Sequence, residues 1–146
     1  AHVDHIGAVG ALVKKYQADV FLNPDDLPLY QSPNNKLDPW VPAASGLPSP
    51  LPLADIPKGF GDIEVIHTPG HTRGGTCYRF KALGAVFTGD TLFAGDIGRT
   101  DLPGGSTQQL HASIKESLFP LPPETRVYPG HGEDSTIGTE KGRLFL

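Results

Sequence analysis

The sequence predicts an α/β fold, because helix-like and strand-like hydrophobic patterns alternate along its 146 residues. Apolar residues recur at helical spacing over Ile6–Gln17, and the apolar run Ala18–Leu22 directly after it indicates a short buried strand. Later in the chain several strand-like runs surround a second amphipathic segment. Helices that alternate with strands in this way are typical of packed α and β layers.

Each further element has its own signal. The segment Ser106–Leu118 is amphipathic, since Leu110, Ile114 and Leu118 recur every fourth residue and Ser106 can cap the helix. A last helix is expected to begin near Ser135 or Thr136. Short apolar runs, three of which end in a Gly or Pro-Gly turn, predict four more strands at Ile63–His67, Gly75–Phe80, Ala85–Thr88 and Arg126–Tyr128.

Residues 23–57 contain nine prolines. Proline removes a backbone donor and fixes φ, so this segment is expected to be a surface loop with at most a short helix near Pro24–Tyr30. A lid over a functional site and an inert wrapping segment are two open roles for it. We interpret the whole chain, residues 1–146, as one domain that contains this loop.

Composition excludes several classes of function. The net charge is −4 and no basic run exceeds two residues, so nucleic-acid binding is not expected. No apolar stretch approaches the roughly 20 residues that cross a bilayer, so no membrane association is expected. A single cysteine, Cys77, excludes an internal disulfide and suits a reducing compartment. We therefore expect a cytoplasmic protein, with an organelle matrix as the alternative.

Four short segments hold the residues suited to bind metal. Three of these segments share one design, a strand that runs into a glycine turn with the candidate ligand at or after the glycine. Imidazole and carboxylate are the groups that zinc uses in sites open to water. Four imidazoles and two carboxylates exceed the needs of one such zinc and suit two metals that share a carboxylate and a hydroxide. The candidate ligands are His2, Asp4, His5, His71, Asp90 and His131.

The order of these segments resembles the metallo-β-lactamase superfamily: a His-x-Asp-His run at residues 2–5, then Thr-Pro-Gly-His, Thr-Gly-Asp and Gly-His-Gly. Phe87–Gly105 and Val127–Gly132 are similar to glyoxalase II-like hydrolases (hydroxyacylglutathione hydrolases) of the short single-domain form. The resemblance implies a metallo-β-lactamase αββα sandwich and covers almost the whole chain except the proline-rich segment and the last few residues.

The resemblance also implies roles. His2 and His71 would bind one metal, Asp4, His5 and His131 the other, and Asp90 would bridge them. Zinc is the expected metal, with iron or manganese as alternatives. A hydroxide between the metals would cleave a small thioester such as a hydroxyacylglutathione, with Asp4 and Asp90 as the catalytic carboxylates. The residues that bind the substrate are not identified by the motifs.

The sequence departs from the family pattern at its start. The family has a further histidine directly before the position of Ala1 and a sheet-forming segment upstream of it. We therefore expect an N-terminally incomplete chain whose sheet a missing segment or an oligomer partner would complete. The longer form of the family carries a C-terminal helical domain; because the sequence ends at Leu146, we expect the short form.

Two other functions remain open. Persulfide dioxygenases share the fold and use one iron, but their pattern has Pro-Ala-His-Asp where this chain has Pro-Gly-His-Gly at residues 129–132. A truncated, non-catalytic remnant that serves as an interaction module is the third hypothesis.

Residues outside the ligand set have mostly structural interpretations. His67 lies inside a strand, and Cys77 is expected to be a small buried strand residue. Asp96, Arg99 and Asp101 lie in a glycine-rich loop, where Arg99 either contacts the substrate or ties the loop by hydrogen bonds; the second is favoured.

Overall fold

The computed structural model describes residues 1–36, 39–57 and 61–146. The chain folds as two compact units, Ala1–Pro57 and Lys58–Leu146. Residues 37 and 38 of the proline-rich segment lie outside the described residues. Within the described ranges, each helix is too short or too polar to cross a lipid bilayer.

The N-terminal unit is built from short elements. Its two strands pair in parallel, and the Tyr30 hydroxyl donates a hydrogen bond of 3.0 Å to the Pro48 carbonyl. The described part of the proline-rich segment is mostly irregular, with helical turns over Pro24–Tyr30, as the sequence predicts, and a short strand and a 3-10 turn over Leu51–Asp55, which it does not predict. The elements are α1 (Val3–Ile6), α2 (Val9–Tyr16), β1 (Phe21–Leu22), α3 (Leu27–Tyr30) and β2 (Leu51–Pro52).

Two predictions for this unit were wrong in detail. The helix predicted at Ile6–Gln17 is two helices, because a turn at residues 7 and 8 separates α1 from α2. Gln17 ends α2 in the left-handed region, with φ of 54°. The strand predicted at Ala18–Leu22 is reduced to its last two residues, which are half-buried rather than buried. Strand β2 was missed because its one proline argues against a strand.

The C-terminal unit contains a five-stranded mixed sheet in the order β3-β4-β5-β6-β7. Among these described strands, only β5 and β6 pair in parallel, and the connection between them carries a helix, as a parallel crossover requires. The predicted strands are confirmed to within a residue or two, and β7 is an addition. The strands are β3 (Ile63–His67), β4 (Thr76–Phe80), β5 (Ala85–Gly89), β6 (Arg126–Pro129) and β7 (Ser135–Thr136).

Two helices accompany this sheet, and each has a hydroxyl side chain as its N-cap; the sequence predicted the first of these caps. The Ser106 hydroxyl accepts from the Gln109 amide at the start of α4 (Thr107–Ser113), which continues as a π-helical turn over Ile114–Leu118. Thr136 caps α5 (Ile137–Arg143) in the same way. The three residues that predicted the amphipathic face are fully buried in a core that includes Cys77, Val86, Leu92, Leu110, Ile114, Leu118, Phe119, Val127 and Ile137.

One face of the sheet carries an apolar strip. Val65, Tyr78, Phe87 and Tyr128 are paired in register across four strands, and the rings of Phe87 and Tyr128 stack at 5.2 Å. All but Tyr78 are exposed large hydrophobic residues.

The helices and the mixed sheet together confirm the predicted α/β class.

Candidate metal centre

The topology of the sheet brings three turns to one edge. Strand β3 is antiparallel to β4, and β4 is antiparallel to β5, so β3 and β5 run in the same direction. Strand β6 is parallel to β5. The carboxyl ends of β3, β5 and β6 therefore lie at the same edge, and the turns after them carry His71, Asp90 and His131.

The turn after β3 fits closely against the start of α4. Gly70 has φ of 137°, and a Cβ at this position would lie 2.3 Å from the Leu110 nitrogen. The Gly70 carbonyl accepts from the Ser106 amide at 2.7 Å, and the Ser113 hydroxyl donates to the Pro69 carbonyl at 2.8 Å. Only glycine fits this backbone conformation and this distance, so Gly70 determines where His71 leaves the turn.

A backbone carbonyl determines the orientation of the His71 ring. Nδ1 of His71 lies 2.7 Å from the Arg99 carbonyl oxygen. Because a carbonyl only accepts hydrogen bonds, Nδ1 carries the proton and donates it. The lone pair of the neutral ring is then on Nε2, the arrangement found in metal-binding histidines.

Asp90 lies between the two histidines. Its Oδ2 is 3.6 Å from Nε2 of His71 and 3.6 Å from Nε2 of His131. Asp90 and His71 are largely buried, whereas the His131 side chain is 56% exposed. The Gly130 amide donates to the Gly89 carbonyl at 2.8 Å, which joins the turns that carry Asp90 and His131.

These distances fit a metal ion. Two ligand atoms on one tetrahedral zinc are about 3.4 Å apart if each lies roughly 2.1 Å from the metal. The observed separations of 3.6 Å are close to this value and too long for hydrogen bonds. Two imidazole nitrogens and one carboxylate oxygen of this unit therefore converge as divalent-metal ligands do.

The other three candidate ligands lie together at the start of the N-terminal unit. His2 is the N-cap residue of α1, and Asp4 and His5 belong to that helix. Nε2 of His5 is 3.8 Å from Oδ2 of Asp4, and both side chains are partly exposed. The short helix α1 thus brings one donor atom of Asp4 and one of His5 close together, and His2 directly precedes it.

Residues with structural interpretations behave as predicted. Nε2 of His67 lies 3.1 Å from the Arg73 carbonyl, so its ring contacts the backbone of the turn that follows its own strand. Cys77 is fully buried, and its burial raises the pKa of the thiol to about 11. Arg99 binds both carboxylate oxygens of Asp101 at 2.7 Å, and this hydrogen bonding lowers the pKa of Asp101 to about 2. Asp96 accepts from the Ile97 amide.

A buried polar cluster beneath the turns was missed by sequence reasoning. The Thr68 hydroxyl lies 3.2 Å from both the Cys77 sulfur and the Thr91 hydroxyl. Thr88 donates to the Leu92 carbonyl at 2.8 Å. These bonds connect the segments that precede His71 and flank Asp90. The sequence around Thr68 has no pattern that would predict hydrogen bonds to Cys77 and Thr91, which lie far from it in the chain.

Comparison with known proteins identifies the family. A family model described as the metallo-beta-lactamase superfamily matches residues 1–131. The chain belongs to this superfamily. The predicted fold is thereby confirmed, and it is shared by a solved structure, TTHA1623 in a di-iron-bound form. That structure has 44% sequence identity and a TM-score of 0.86, with 98% of this chain and 72% of that chain covered.

Members of the superfamily that resemble this chain include named hydrolases. Probable metallo-hydrolase YqgX of Bacillus subtilis is 36% identical over 157 residues, which cover 97% of this chain and 69% of that protein. Hydroxyacylglutathione hydrolase GloC of Haemophilus influenzae is 36% identical over 152 residues, with 96% of this chain and 69% of that protein covered. The chain is thus a metallo-hydrolase superfamily member.

Proposed function

We propose that this chain is a dinuclear metal-dependent hydrolase that cleaves thioesters of the hydroxyacylglutathione kind. The observation that carries the proposal is the equal distance of 3.6 Å from Oδ2 of Asp90 to Nε2 of His71 and to Nε2 of His131. One carboxylate oxygen at the same distance from two imidazoles is placed where it could serve as a ligand shared by two metals. The similarity to GloC supports the substrate class.

The ligands we assign are the six that the motifs indicated. His71, Asp90 and His131 are supported by their convergence at one sheet edge. His2, Asp4 and His5 are supported by the His-x-Asp-His motif, which lies inside the part of the chain matched by the family model. Zinc is the proposed metal because histidine and carboxylate suit it, and the di-iron form of TTHA1623 makes iron the main alternative.

The residues of the site have distinct chemical tasks. The proposed ligands would hold divalent metal, which would lower the pKa of a bound water to about 7 and polarise a carbonyl oxygen. The backbone carbonyl of Arg99 accepts the Nδ1 proton of His71 in a hydrogen bond, so that the lone pair of Nε2 stays available for a metal. Asp90 and Asp4 are the proposed catalytic carboxylates, because an ionised carboxylate accepts a hydrogen bond from the attacking water and orients it.

A covalent mechanism through the cysteine is disfavoured. Nucleophilic cysteines are partly exposed and have a lowered pKa. Cys77 is fully buried, and its thiol pKa is raised to about 11. Water activated at the metal centre is therefore the proposed nucleophile, and the thiolate of the substrate is the proposed leaving group.

The proposal is tested with the metal-loaded chain. We expect two zinc ions per chain by elemental analysis and hydrolysis of lactoylglutathione above that of simpler thioesters. Asp90→Ala is expected to lose bound metal and to reduce kcat by at least about 1000-fold, because it removes a ligand on which both metals depend. The matched control is Asp134→Asn, which removes an exposed carboxylate that pairs with Arg126.

Several outcomes would contradict the proposal. Normal turnover by Asp90→Ala would exclude the assigned site, and equal losses in Asp134→Asn would show that the effect is not specific. One iron per chain together with oxygen consumption on a persulfide would favour the dioxygenase. If the wild-type chain neither bound metal nor hydrolysed a thioester, the remaining hypothesis would be the non-catalytic interaction module.

A further inference from the structure

Glu140 is a fully buried carboxylate on α5. Its Oε2 accepts from the Gly95 amide at 2.7 Å, and its Oε1 accepts from the Ser135 hydroxyl. Nη1 of Arg143 lies 3.6 Å from Oε1. Burial of an ionised carboxylate is costly unless hydrogen bonds and opposite charge compensate it. The hydrogen bonds from Gly95 and Ser135 and the nearby Arg143 provide this compensation.

Gly95 belongs to a tight loop that starts directly after Asp90. We call residues 91–98 the Asp90 loop. The Phe93 amide donates to the Asp96 carbonyl at 2.9 Å, and Leu92 forms a β-bridge with Ile97. The tip of the loop, residues 94–96, is exposed. Glu140 thus attaches an otherwise exposed tip to the body of the unit.

The Asp90 loop touches the residues proposed to bind metal at both of its sides. At its base, a Cβ on Gly98 would lie 1.8 Å from the Asp90 carbonyl oxygen and 3.3 Å from Cβ of His71. Near its tip, the ring of Phe93 meets the ring of His131 edge-on, with 6.4 Å between the ring centroids. A shift of the loop would therefore change the surroundings of all three side chains.

We propose that Glu140 is a positioning residue for the metal centre. By holding Gly95 it keeps Phe93 against His131, and this contact restricts an imidazole whose side chain is 56% exposed. The action of Glu140 on catalysis rests on the proposed function, because it requires His131 to be a ligand. Its action on the loop does not.

Three variants separate positioning from general stability. Glu140→Ala removes the acceptor for Gly95, and we expect roughly 10–100-fold weaker metal binding, the usual effect of losing a group that orients a ligand. Glu140→Gln keeps an oxygen for Gly95 and an amide that can donate to Ser135, so we expect metal binding close to that of the wild type. Ser135→Ala loses only the bond on the side away from the loop, and we expect lower stability with unchanged metal binding.

None of the four measurements needs catalytic activity, and two of them need no metal. Metal affinity is determined by competition with a chelator, and the visible spectrum of the cobalt-loaded chain reports the geometry around its ligands. In the metal-free chain, hydrogen exchange of the Gly95 amide and the nuclear Overhauser effect between the Phe93 and His131 rings report the loop itself. In Glu140→Ala we expect faster exchange and a weaker ring contact.

The outcomes are distinct. Unchanged ring contact and metal affinity in folded Glu140→Ala, or equal losses in Ser135→Ala, would overturn the inference. If Glu140→Ala does not fold, Phe93→Leu tests the same step, because it keeps the Gly95 bond and removes the ring; unchanged metal affinity there would also overturn it. A wild type that binds no metal would refute the proposed function, while exchange and ring contact would still decide what Glu140 does to the loop.

Discussion

At the scale of single residues, Gly70 shows how a backbone conformation determines the position of a candidate ligand. A methyl group there would meet the Leu110 backbone at 2.3 Å, and φ of 137° is unfavourable for any other residue. We expect Gly70→Ala to lower the free energy of unfolding by about 2–3 kcal/mol and to weaken metal binding. Urea denaturation and a chelator titration measure the two effects.

Gly142 provides a matched control for this substitution. It lies in α5, and a Cβ there would have no neighbour within 4 Å. Since alanine favours helix over glycine by up to about 1 kcal/mol, Gly142→Ala is expected to be neutral or stabilising. Equal losses in the two variants would show that the close approach at Gly70 has no special role.

Cys77 predicts a dependence of stability on alkaline pH. Its thiol pKa is raised by burial from 9.0 to about 11, so the folded state holds the proton more tightly than the unfolded state. The contribution is complete below pH 9 and is lost as the pH rises through about 11. We expect the free energy of unfolding to fall over this range, and Cys77→Ala to remove that part of the decrease.

Thiol labelling offers an independent check of the same feature. The native chain at pH 8 is expected to react with a disulfide reagent far more slowly than the chain in urea, because the thiolate is disfavoured and the sulfur is buried. If the native chain were labelled as fast as a solvent-exposed thiol, the buried position of Cys77 would be contradicted.

At the scale of elements, the buried face of α4 and its π-helical turn stabilises the C-terminal unit. Leu110, Ile114 and Leu118 are all inaccessible to solvent. We expect Leu110→Ala to cost about 2–5 kcal/mol, because it leaves a cavity in a packed core. Leu12→Ala on α2 is the control, since Leu12 is half exposed and its truncation should cost little. Denaturation midpoints compare the two variants.

The same scale shows the reach of local sequence patterns. Hydrophobic periodicity and the Ser106 cap predicted α4, but the π-helical turn at its end has no local signature. In the N-terminal unit, the break at residues 7 and 8 divided a periodic segment that looked continuous. Strand β2 is two residues long and contains a proline, so only its partner β1 defines it.

At the scale of the whole molecule, the division into two units makes a prediction about folding. Every member of the main core cluster lies in the unit Lys58–Leu146. We expect this unit, produced alone, to form its sheet and bury that core, as a compact domain with its own core does. Circular dichroism and dispersed amide resonances test this, with the Leu110→Ala form as the destabilised control. A fragment that remains unfolded would contradict the prediction.

The sequence by itself determined the residue types, the turns and the strands of the candidate site, because ligand chemistry and glycine turns are local properties. The strand order was decided only by the tertiary structure, since pairing joins residues far apart in the chain. That order places the ends of β3, β5 and β6 at one edge and brings His71 and His131 to the same Asp90 oxygen. The tertiary structure alone also decided that the Arg99 carbonyl orients the His71 ring. Every residue has a backbone carbonyl, so no sequence pattern marks the one that accepts this hydrogen bond.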